Sequence, residues 1–365
     1  MTDSGVYDFA VVGVGPAGAR FARQAAERGH RVIAFEQGSI GRPLACSGHV
    51  STDIYRYLPP GAASRLRQNE ISAARFHVGG PDSPAYRFYR EETISVVIDR
   101  VGLDQVLARA ASEAGADIRS QHTVTAVTPT PTHVAIAVQT PEGMMQVRAR
   151  IVVGADGPTS RTRRALGIEP PGELLHGVLG FDPTPDAADH VDVHLIVPGF
   201  FAWRIPRGDA GVEYGIAGAP GPDLRRRFDQ FLAEYGVSLE DRCSGAIPIG
   251  PPASTVGNRG LVVGDAAAQT KPFTGGGILY GMQAADIAAE AIDPTDTATL
   301  QRYERRWRRA LAREVRLGGW VRRAYDLPPP LQRLGLRVLA GELGVHMDRP
   351  TSLFSGQNLR RLLGL

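Results

Sequence analysis

The sequence predicts an α/β fold in which a Rossmann-like core is interleaved with a β-rich second layer and followed by a helical tail. Residues 8–35 read as strand, helix and strand, since the apolar runs DFAVVG and RVIAF flank a helical segment that ends at Gly29. Short alternating runs fill 71–98 and 172–218, and this alternation is typical of antiparallel strands. Because these runs interrupt the core twice, we expect one second layer built from two separate segments.

Composition excludes several protein classes. The 365 residues are 43% hydrophobic and 22% charged, which is typical of a folded globular protein. No apolar run is long enough to span a membrane, and the first residues lack the basic and apolar regions of a signal peptide, so we expect a cytoplasmic protein. Cys46 and Cys243 are too few for a disulfide framework or a metal cluster, and we expect no metal. A net charge of +3 predicts no nucleic-acid partner.

A glycine-rich turn joins the first strand to the first helix. Gly13 permits the tight turn, Gly15 lets a pyrophosphate approach the backbone, and Gly18 allows close packing of helix on strand. Glu36 follows the second strand, where a carboxylate accepts hydrogen bonds from an adenosine ribose. The helix N-terminus favours phosphate through unpaired N–H groups and its partial positive charge. The candidate nucleotide contacts are Gly13, Gly15, Pro16, Ala17, Gly18, Glu36 and Gln37.

Two later segments distinguish a flavin nucleotide from a nicotinamide nucleotide. The run VVGADGPTSRTRRALG places Asp156 after an apolar strand. The run GLVVGDAAAQTKPFTGGGILYGMQAA places Asp265 at a strand end, where its carboxylate can accept a hydrogen bond from a ribityl hydroxyl. The helix that opens after its three glycines can stabilise negative charge on the N1/O2 edge of a reduced flavin. The candidate contacts here are Asp156, Gly264, Asp265, Pro272, Gly275, Gly276, Gly277 and Ile278.

These three segments, in this order, resemble the FAD-dependent family built like para-hydroxybenzoate hydroxylase. The resemblance implies FAD as the cofactor and a Rossmann-like FAD-binding domain with a ββα insertion. Arg100, followed by the helix from Gly102, matches the arginine that reaches the FAD in that family, and a surface ion pair is the alternative. The resemblance also implies that Val124 contacts the cofactor.

The strand FFAWRIPRGD resembles two branches of this superfamily. Flavin-dependent halogenases carry a Trp-x-Trp-x-Ile-Pro strand, and geranylgeranyl reductases carry an aromatic-x-Trp-x-Phe-Pro strand followed by a basic residue and Gly. Phe201 departs from both patterns, whereas Ile205 favours the halogenases. Arg207 with Gly208 favours the reductases. Halogenases need an ammonium group to capture hypohalous acid, and the only lysine, Lys271, lies in the wrong segment, so the halogenase interpretation is disfavoured.

The loop GRPLACSGHVS resembles the cysteine loop that geranylgeranyl reductases place over the isoalloxazine ring. The matching positions are held by Arg42, Cys46, Ser47 and Gly48, and the run LQRYERRW also resembles the reductase tail. The resemblance implies that Cys46 is catalytic. The alternative for Cys46 is a small buried residue without reactivity. The implied cofactor contacts in this loop are Arg42, Ala45, Cys46 and Ser47.

Geranylgeranyl reductases saturate isolated C=C bonds of prenyl chains by hydride from flavin N5, so the resemblance implies this activity on an isoprenoid lipid or diphosphate. Such chemistry requires an apolar tunnel that excludes water. Phe201, Trp203 and Ile205 alternate and therefore point to one face of a strand, where they line that tunnel or form ordinary core. The proton donor stays open between Cys46, a tyrosine and water. The candidate substrate contacts are Phe201, Trp203, Ile205, Pro206, Tyr214 and Phe273, with Tyr280 nearby.

The sequence leaves partners and an alternative function open. No second complete glycine fingerprint is present, so either NADPH docks transiently or a ferredoxin delivers the electrons. The arginine-rich segment 302–316 is either a solvated face or a contact with an anionic membrane, which would place the protein at the inner face of the membrane. The main alternative function is an FAD- and NADPH-dependent aromatic or polyketide hydroxylase. A non-enzymatic scaffold or lipid carrier would leave the flavin-edge loops without a use.

The domain organisation is expected to be discontinuous. The FAD-binding domain takes residues 1–70, 98–165 and 245–293. The antiparallel β substrate-binding domain takes residues 71–97 and 166–244. A helical C-terminal region takes residues 294–365.

Overall fold

The computed structural model describes residues 5–42 and 45–341, whose strands fall into three sheets. The strands are β1 (Tyr7–Val12), β2 (Val32–Phe35), β3 (His49–Ser51), β4 (Arg67–Ile71), β5 (Ala73–His77), β6 (Ala85–Tyr89), β7 (Ser95–Ile98), β8 (Asp117–Arg119), β9 (Thr123–Pro129), β10 (Val134–Thr140), β11 (Gly143–Gly154), β12 (Glu173–Asp182), β13 (His190–Val197), β14 (Phe200–Pro206), β15 (Val212–Gly218), β16 (Arg242–Ile249), β17 (Val256–Gly257) and β18 (Gly260–Val262). The α-helices are α1 (Pro16–Glu27), α2 (Ala62–Leu66), α3 (Arg100–Glu113), α4 (Arg161–Ala165), α5 (Pro222–Glu234), α6 (Ile278–Ala291), α7 (Leu300–Arg322) and α8 (Pro329–Leu339). This order of elements confirms the α/β prediction with its helical C-terminal region.

The first sheet carries the glycine-rich turn. Its main path runs β17-β18-β11-β1-β2-β8, and β1 pairs in parallel with both β2 and β11. Phe9 and Val11 pack in one core cluster with the helices, whereas Ala10 and Val12 pack in another with the antiparallel pair β9 and β10. Burial of both faces explains the unbroken apolar run of β1. Because β1, β11 and β18 are parallel, the turns that follow them meet at one edge of the sheet.

The second sheet combines two distant segments, as the alternating runs predict. Its order is β16-β12-β15-β14-β13-β5-β6, and β5 joins β13 through a parallel pairing. One face packs against α5 through Phe228 and Phe231. The other face carries Phe201 and Trp203, and this face borders the cavity described below.

The third sheet is small and lies across an expected domain boundary. It consists of β3, β7 and β4, with β7 in the centre. The sequence places residues 71–97 in the β-rich layer, but β7 pairs with strands from residues 1–70 instead. Alternation identifies a strand without identifying the strand that pairs with it, so the pattern alone does not assign β7 to a sheet.

Helix α7 buries one face against the first sheet and exposes the other. Tyr303 and Trp307 are fully buried there. The buried carboxylate of Glu304 accepts hydrogen bonds from Trp307 Nε1 at 3.2 Å and from Arg308 Nε at 2.5 Å. Residues 342–365 of the expected helical region lie outside the described residues. Within the described part of the chain, no helix combines the length and apolar character needed to cross a bilayer.

Candidate active site

A cavity of about 600 Å³ is bordered by the first and second sheets. On the side of the first sheet it is lined by the turns after β1, β11 and β18 and by the residues that precede α6. On the side of the second sheet it is lined by side chains from six of the seven strands and by α8. Among the described lining residues, the Arg, Asp, Glu and Lys side chains are Arg100, Asp265 and Lys271. The cavity is therefore charged beside the turns and apolar along the strands.

In the glycine-rich turn, the fold requires glycine at two positions, and at a third position the space beside the backbone is open to a ligand. Gly13 has φ +93°, and a Cβ there would lie 2.3 Å from the carbonyl oxygen of Ala155. A Cβ on Gly18 would lie 2.0 Å from the carbonyl oxygen of Gly13. A Cβ on Gly15 would have no atom within 4 Å, and Gly15, Pro16 and Ala17 border the cavity. The uncapped N-terminus of α1 thus faces a space that accepts an anionic group.

The acid after β2 supports the same turn. Glu36 Oε2 accepts a hydrogen bond from the backbone N–H of Val14 at 2.9 Å, and Oε1 accepts one from Gly38 at 3.4 Å. Gln37 is exposed, and neither residue borders the cavity. Val124 is buried in the core on the other face of the first sheet, so its side chain also lies away from the cavity. These three positions therefore lie outside the lining of the cavity.

Asp156 is occupied within its own segment. Its carboxylate accepts hydrogen bonds from Ser160 Oγ at 2.5 Å, from the backbone N–H groups of Arg161 and Thr162 at 2.8 and 3.0 Å, and from Thr162 Oγ1 at 3.1 Å. These contacts hold the start of α4, and the neighbouring Gly157 is the residue that borders the cavity. The Asp156 carboxylate is therefore engaged within its own segment, and its assignment as a cofactor contact stays a prediction.

Asp265 presents a carboxylate to the cavity. No described residue donates a hydrogen bond to it, and burial raises its pKa to about 6 although Arg100 acts in the opposite direction. A Cβ on Gly277 would lie 2.6 Å from Asp265 Oδ1, so the start of α6 lies against this carboxylate. The N-terminus of α6 has no side-chain cap, and residues 275–278 border the cavity. Pro272 instead contacts Gly318 of α7 and does not line the cavity.

Cys46 lies where the main cavity meets a second one. The second cavity, of about 580 Å³, is lined by Cys46 together with Arg42, Arg100 and Arg207. Arg100 is 6% exposed and forms an ion pair with Asp104 at 2.8 Å, so it is a buried pair and not a surface one. Burial lowers the pKa of the Arg100 guanidinium, but Cys46 and Asp104 raise it above its usual range. A permanently charged arginine therefore lies beside the Cys46 thiol.

The tryptophan strand points into the main cavity as its alternation predicts. Phe201, Trp203 and Ile205 all border it, and Phe273 borders it from the loop before α6. Ala45, Cys46 and Ser47 line it as well. Lining residues extend from β16 to β6, a distance of about 29 Å across six strand spacings of about 4.8 Å.

Three predicted residues of the apolar wall lie elsewhere. Tyr214 is on the opposite face of the second sheet, where its ring contacts Phe231 and Tyr235. The register explains this, because Trp203 pairs with Gly215 and Tyr214 pairs with Arg204. Pro206 is buried beyond the lining, and Tyr280 is buried in the core of the first sheet. The prediction that Tyr214 lines the pocket is therefore wrong.

Two groups of lining residues were not predicted. Phe76, Phe88 and Tyr89 line the cavity from β5 and β6, and α8 covers it with Leu336 and Leu339. Outside the cavity, α8 exposes Leu334 and Val338 at 57 and 59% next to the exposed Arg333 and Arg337. The hydroxyl of Tyr325, just before α8, donates to the carbonyl oxygen of Phe273 at 2.8 Å.

Comparison with known proteins gives concordant similarities. Residues 6–197 match the family described as FAD binding domain. The chain is 31% identical to digeranylgeranylglycerophospholipid reductase 1 of Methanococcoides burtonii, over 85% of this chain and 81% of that protein. It is 34% identical to the corresponding reductase 1 of Methanopyrus kandleri, over 82% of this chain and 86% of that protein.

Among solved structures, the fold is similar to a geranylgeranyl bacteriochlorophyll reductase-like protein from Thermoplasma acidophilum. The TM-score is 0.83 at 22% identity, with 98% of this chain and 96% of that chain covered. At this identity the likeness concerns the fold alone.

Proposed function

We propose that this FAD-dependent oxidoreductase, which belongs to the FAD-binding family and to the family of the digeranylgeranylglycerophospholipid reductases, saturates isolated C=C bonds in geranylgeranyl chains. The substrate is an isoprenoid lipid or diphosphate. The observation that carries this proposal is the cavity, which is charged beside the turns of the first sheet and apolar for about 29 Å along the second. Such a cavity fits a long hydrocarbon chain, one segment of which lies beside the polar reaction centre.

The turns of the first sheet are proposed to hold FAD. Gly15 and the uncapped start of α1 receive the pyrophosphate, and Glu36 receives the adenosine ribose. The Asp265 carboxylate would accept a hydrogen bond from a ribityl hydroxyl, and the N-terminus of α6 would stabilise negative charge on the reduced ring system. Bound and reduced, FAD supplies a hydride from N5. We assign this role to residues 1–70, 98–165 and 245–293, and substrate binding mainly to 71–97 and 166–244.

The second sheet and α8 are proposed to hold the prenyl chain. Phe201, Trp203 and Ile205 offer an apolar wall without hydrogen-bonding groups aimed at the chain, and α8 covers the opposite side. This enclosure excludes water from an alkene that reacts through carbocation character. Saturation of one C=C bond consumes one hydride and one proton. Cys46 is proposed to deliver the proton to the second alkene carbon and to recover it from solvent through the second cavity.

Two further partners are proposed. The electrons come from NADPH or from a reduced ferredoxin, and anaerobic reduction of the bound flavin by each donor distinguishes them. The membrane partner is an anionic bilayer at the cytoplasmic face, contacted by exposed side chains at three- and four-residue spacing along α7. This arginine stripe consists of Arg302, Arg305, Arg309, Arg313, Arg316 and Trp320. The chain continues from the stripe into α8, whose exposed side chains are Leu331, Arg333, Leu334, Arg337 and Val338 along with its first prolines.

The test uses the FAD-loaded protein, a digeranylgeranyl glycerophospholipid and dithionite without oxygen. The expected product is heavier by two mass units for each saturated double bond. Oxygen consumption with NADPH and a product heavier by one oxygen atom would instead establish the hydroxylase alternative. The mass of any lipid that co-purifies with the protein gives independent support for a long isoprenoid.

A further inference from the structure

A buried carboxylate joins the apolar wall to the Cys46 loop. Glu213 on β15 has no exposed surface and borders neither cavity. Its Oε1 accepts a hydrogen bond from Trp203 Nε1 at 2.7 Å, and its Oε2 accepts one from Arg207 Nη1 at 3.2 Å. The same Arg207 Nη1 donates to the backbone carbonyl oxygen of Ser47 at 2.8 Å. A continuous set of hydrogen bonds thus runs from the indole in the cavity wall to the residue that follows Cys46.

This carboxylate is costly to bury. Every residue of β15, from Val212 to Gly218, is buried, and Glu213 is the charged residue among them. Burial raises the pKa of Glu213 to about 7, whereas Arg207 and Trp203 lower it. Replacing a buried ion pair by apolar residues often leaves the stability of the fold unchanged or raises it. Stability alone therefore gives little reason for a glutamate here, and the contacts that it makes are the better explanation.

Each end of the set is held in one place. The Trp203 indole lies over Gly215, because a Cβ on Gly215 would come within 2.2 Å of the ring. The Arg207 guanidinium is 8% exposed and lies 4.9 Å from the centre of the Phe181 ring. Arg207 also borders the second cavity together with Cys46. The carboxylate of Glu213 is the group that both ends share.

We propose that Glu213 is a positioning residue that couples the Trp203 wall to the Cys46 loop through Arg207. A shift of the indole in the wall moves the carboxylate, and the carboxylate moves the guanidinium that holds the Ser47 carbonyl. The accessibility of the Cys46 thiol then depends on Glu213, although Glu213 touches neither the thiol nor the cavity. The inference rests on the proposed function only because that function gives the wall its role in prenyl-chain binding and the Cys46 loop its role in proton delivery.

The test measures the rate at which iodoacetamide alkylates Cys46 in the FAD-loaded protein. A Cys243→Ser background leaves Cys46 as the single thiol, since the chain has two cysteines. Glu213→Gln removes the negative charge beside Arg207 and is expected to raise the alkylation rate about tenfold, because the guanidinium is then held less firmly against the Ser47 carbonyl. Flavin content and thermal unfolding are measured in parallel.

Two further variants separate coupling from stability. Glu304→Gln is a matched control, because Glu304 is also buried and also accepts from a tryptophan indole and an arginine, yet it contacts neither Ser47 nor Cys46. It is expected to lower stability and leave the alkylation rate unchanged. The double variant Glu213→Leu with Arg207→Leu removes both buried charges and is expected to retain the fold.

The double variant is expected to alkylate as fast as Glu213→Gln. Parent-like alkylation in Glu213→Gln and in the double variant overturns the proposal. Equal acceleration by Glu304→Gln overturns it as well, because the effect would then follow stability. These outcomes do not depend on whether the protein reduces a prenyl chain, so a failure of the proposed function is recognised separately by the mass assay.

Discussion

Gly215 on β15 lies opposite Trp203 on β14, and a Cβ on Gly215 would come within 2.2 Å of the indole ring. The absence of a side chain at this one position lets the indole lie flat over β15. It also explains why six strands line the cavity and β15 does not. The width of the cavity at its centre therefore depends on a glycine that never borders it.

Gly215→Ala is expected to push the indole into the cavity and to slow reduction of a bound prenyl chain. The added methyl group overpacks the site, which costs about 1–3 kcal/mol of stability. The control is Gly172→Ala just before β12, because Gly172 does not line the cavity and a Cβ there would meet the Ile249 carbonyl oxygen at an ordinary 3.4 Å. Single-turnover reduction measures both variants. Equal rates in the two would show that the indole does not bound the chain.

Cys46→Ser is expected to lower turnover by at least about 100-fold, the usual size of a lost general-acid contribution. The control is Cys243→Ser, because Cys243 is the second of the two cysteines and lies on β16. Both variants are assayed without oxygen with pre-reduced flavin, and flavin content is measured first. Turnover of Cys46→Ser at the parent rate would remove the thiol from the mechanism.

Gly15→Val is expected to abolish FAD binding and leave the apoprotein folded. The backbone of Gly15, with φ −69° and ψ −176°, suits any residue, and no protein atom lies within 4 Å of a Cβ there. The branched side chain would instead occupy the space proposed for the pyrophosphate. Gly319→Val is the control, since a Cβ on Gly319 also has no atom within 4 Å. Flavin absorbance per mole of purified protein gives the result, and a yellow Gly15→Val protein would contradict the assignment.

His194 is expected to make the protein less stable as the pH falls from about 6.5 to about 4. Burial lowers the pKa of His194 to about 4, whereas the hydrogen bond from Nδ1 to the Gly79 carbonyl at 3.0 Å acts in the opposite direction. Nε2 of the neutral ring accepts a hydrogen bond from the Tyr235 hydroxyl at 2.8 Å. Above the unfolded pKa of about 6.5 neither state binds the proton, so no stability is lost there.

Between those two pKa values the unfolded chain binds a proton that the folded chain does not. This difference reaches about 3 kcal/mol at pH 4, from about 2.5 pKa units at 1.36 kcal/mol each. Urea unfolding at several pH values measures the slope, which His194→Gln is expected to flatten. His133→Gln, in the turn between β9 and β10, keeps the parent slope if the assignment is right.

Reversal of three charges in the arginine stripe, Arg305→Glu, Arg309→Glu and Arg313→Glu, is expected to weaken binding to anionic vesicles by at least about 100-fold. An arginine near an anionic surface contributes about 1 kcal/mol. The control reverses Arg65, Arg109 and Arg225, which are exposed on other helices and change the net charge equally. Co-sedimentation uses vesicles with and without anionic lipid. Equal loss in both triple variants would indicate a net-charge effect without a docking face.

The sequence predicts the local elements of this protein better than their partners. The βαβ unit and its glycines are local features, and the structure has them where the pattern puts them. Tyr214 was misplaced because its face depends on the pairing of β15 with β14, and β7 was assigned to the wrong layer for the same reason. Pairing is a property of two segments, and alternation in one segment does not determine it.

The site shows the same division. Phe201, Trp203 and Ile205 share a face by strand geometry alone, so their common position was predictable. The position of α8 over the cavity was not predictable, because the apolar side chains of a helix do not indicate which cavity the helix covers. Glu213 carried a signal, a lone acid in the strand VEYGIAG, but its partners Trp203 and Arg207 come from the neighbouring strand and the turn after it.

The length of the apolar lining has a kinetic consequence. Only the part beside the first-sheet turns holds the reactive groups, so a substrate with several double bonds must slide lengthwise between rounds to bring the next one into place. For the proposed lipid substrate, the polar head group would limit this travel, because a polar group does not enter an apolar passage. The length of the passage would then determine how many double bonds reach the reactive groups. Shortening the passage would leave the double bonds nearest the head group unreduced.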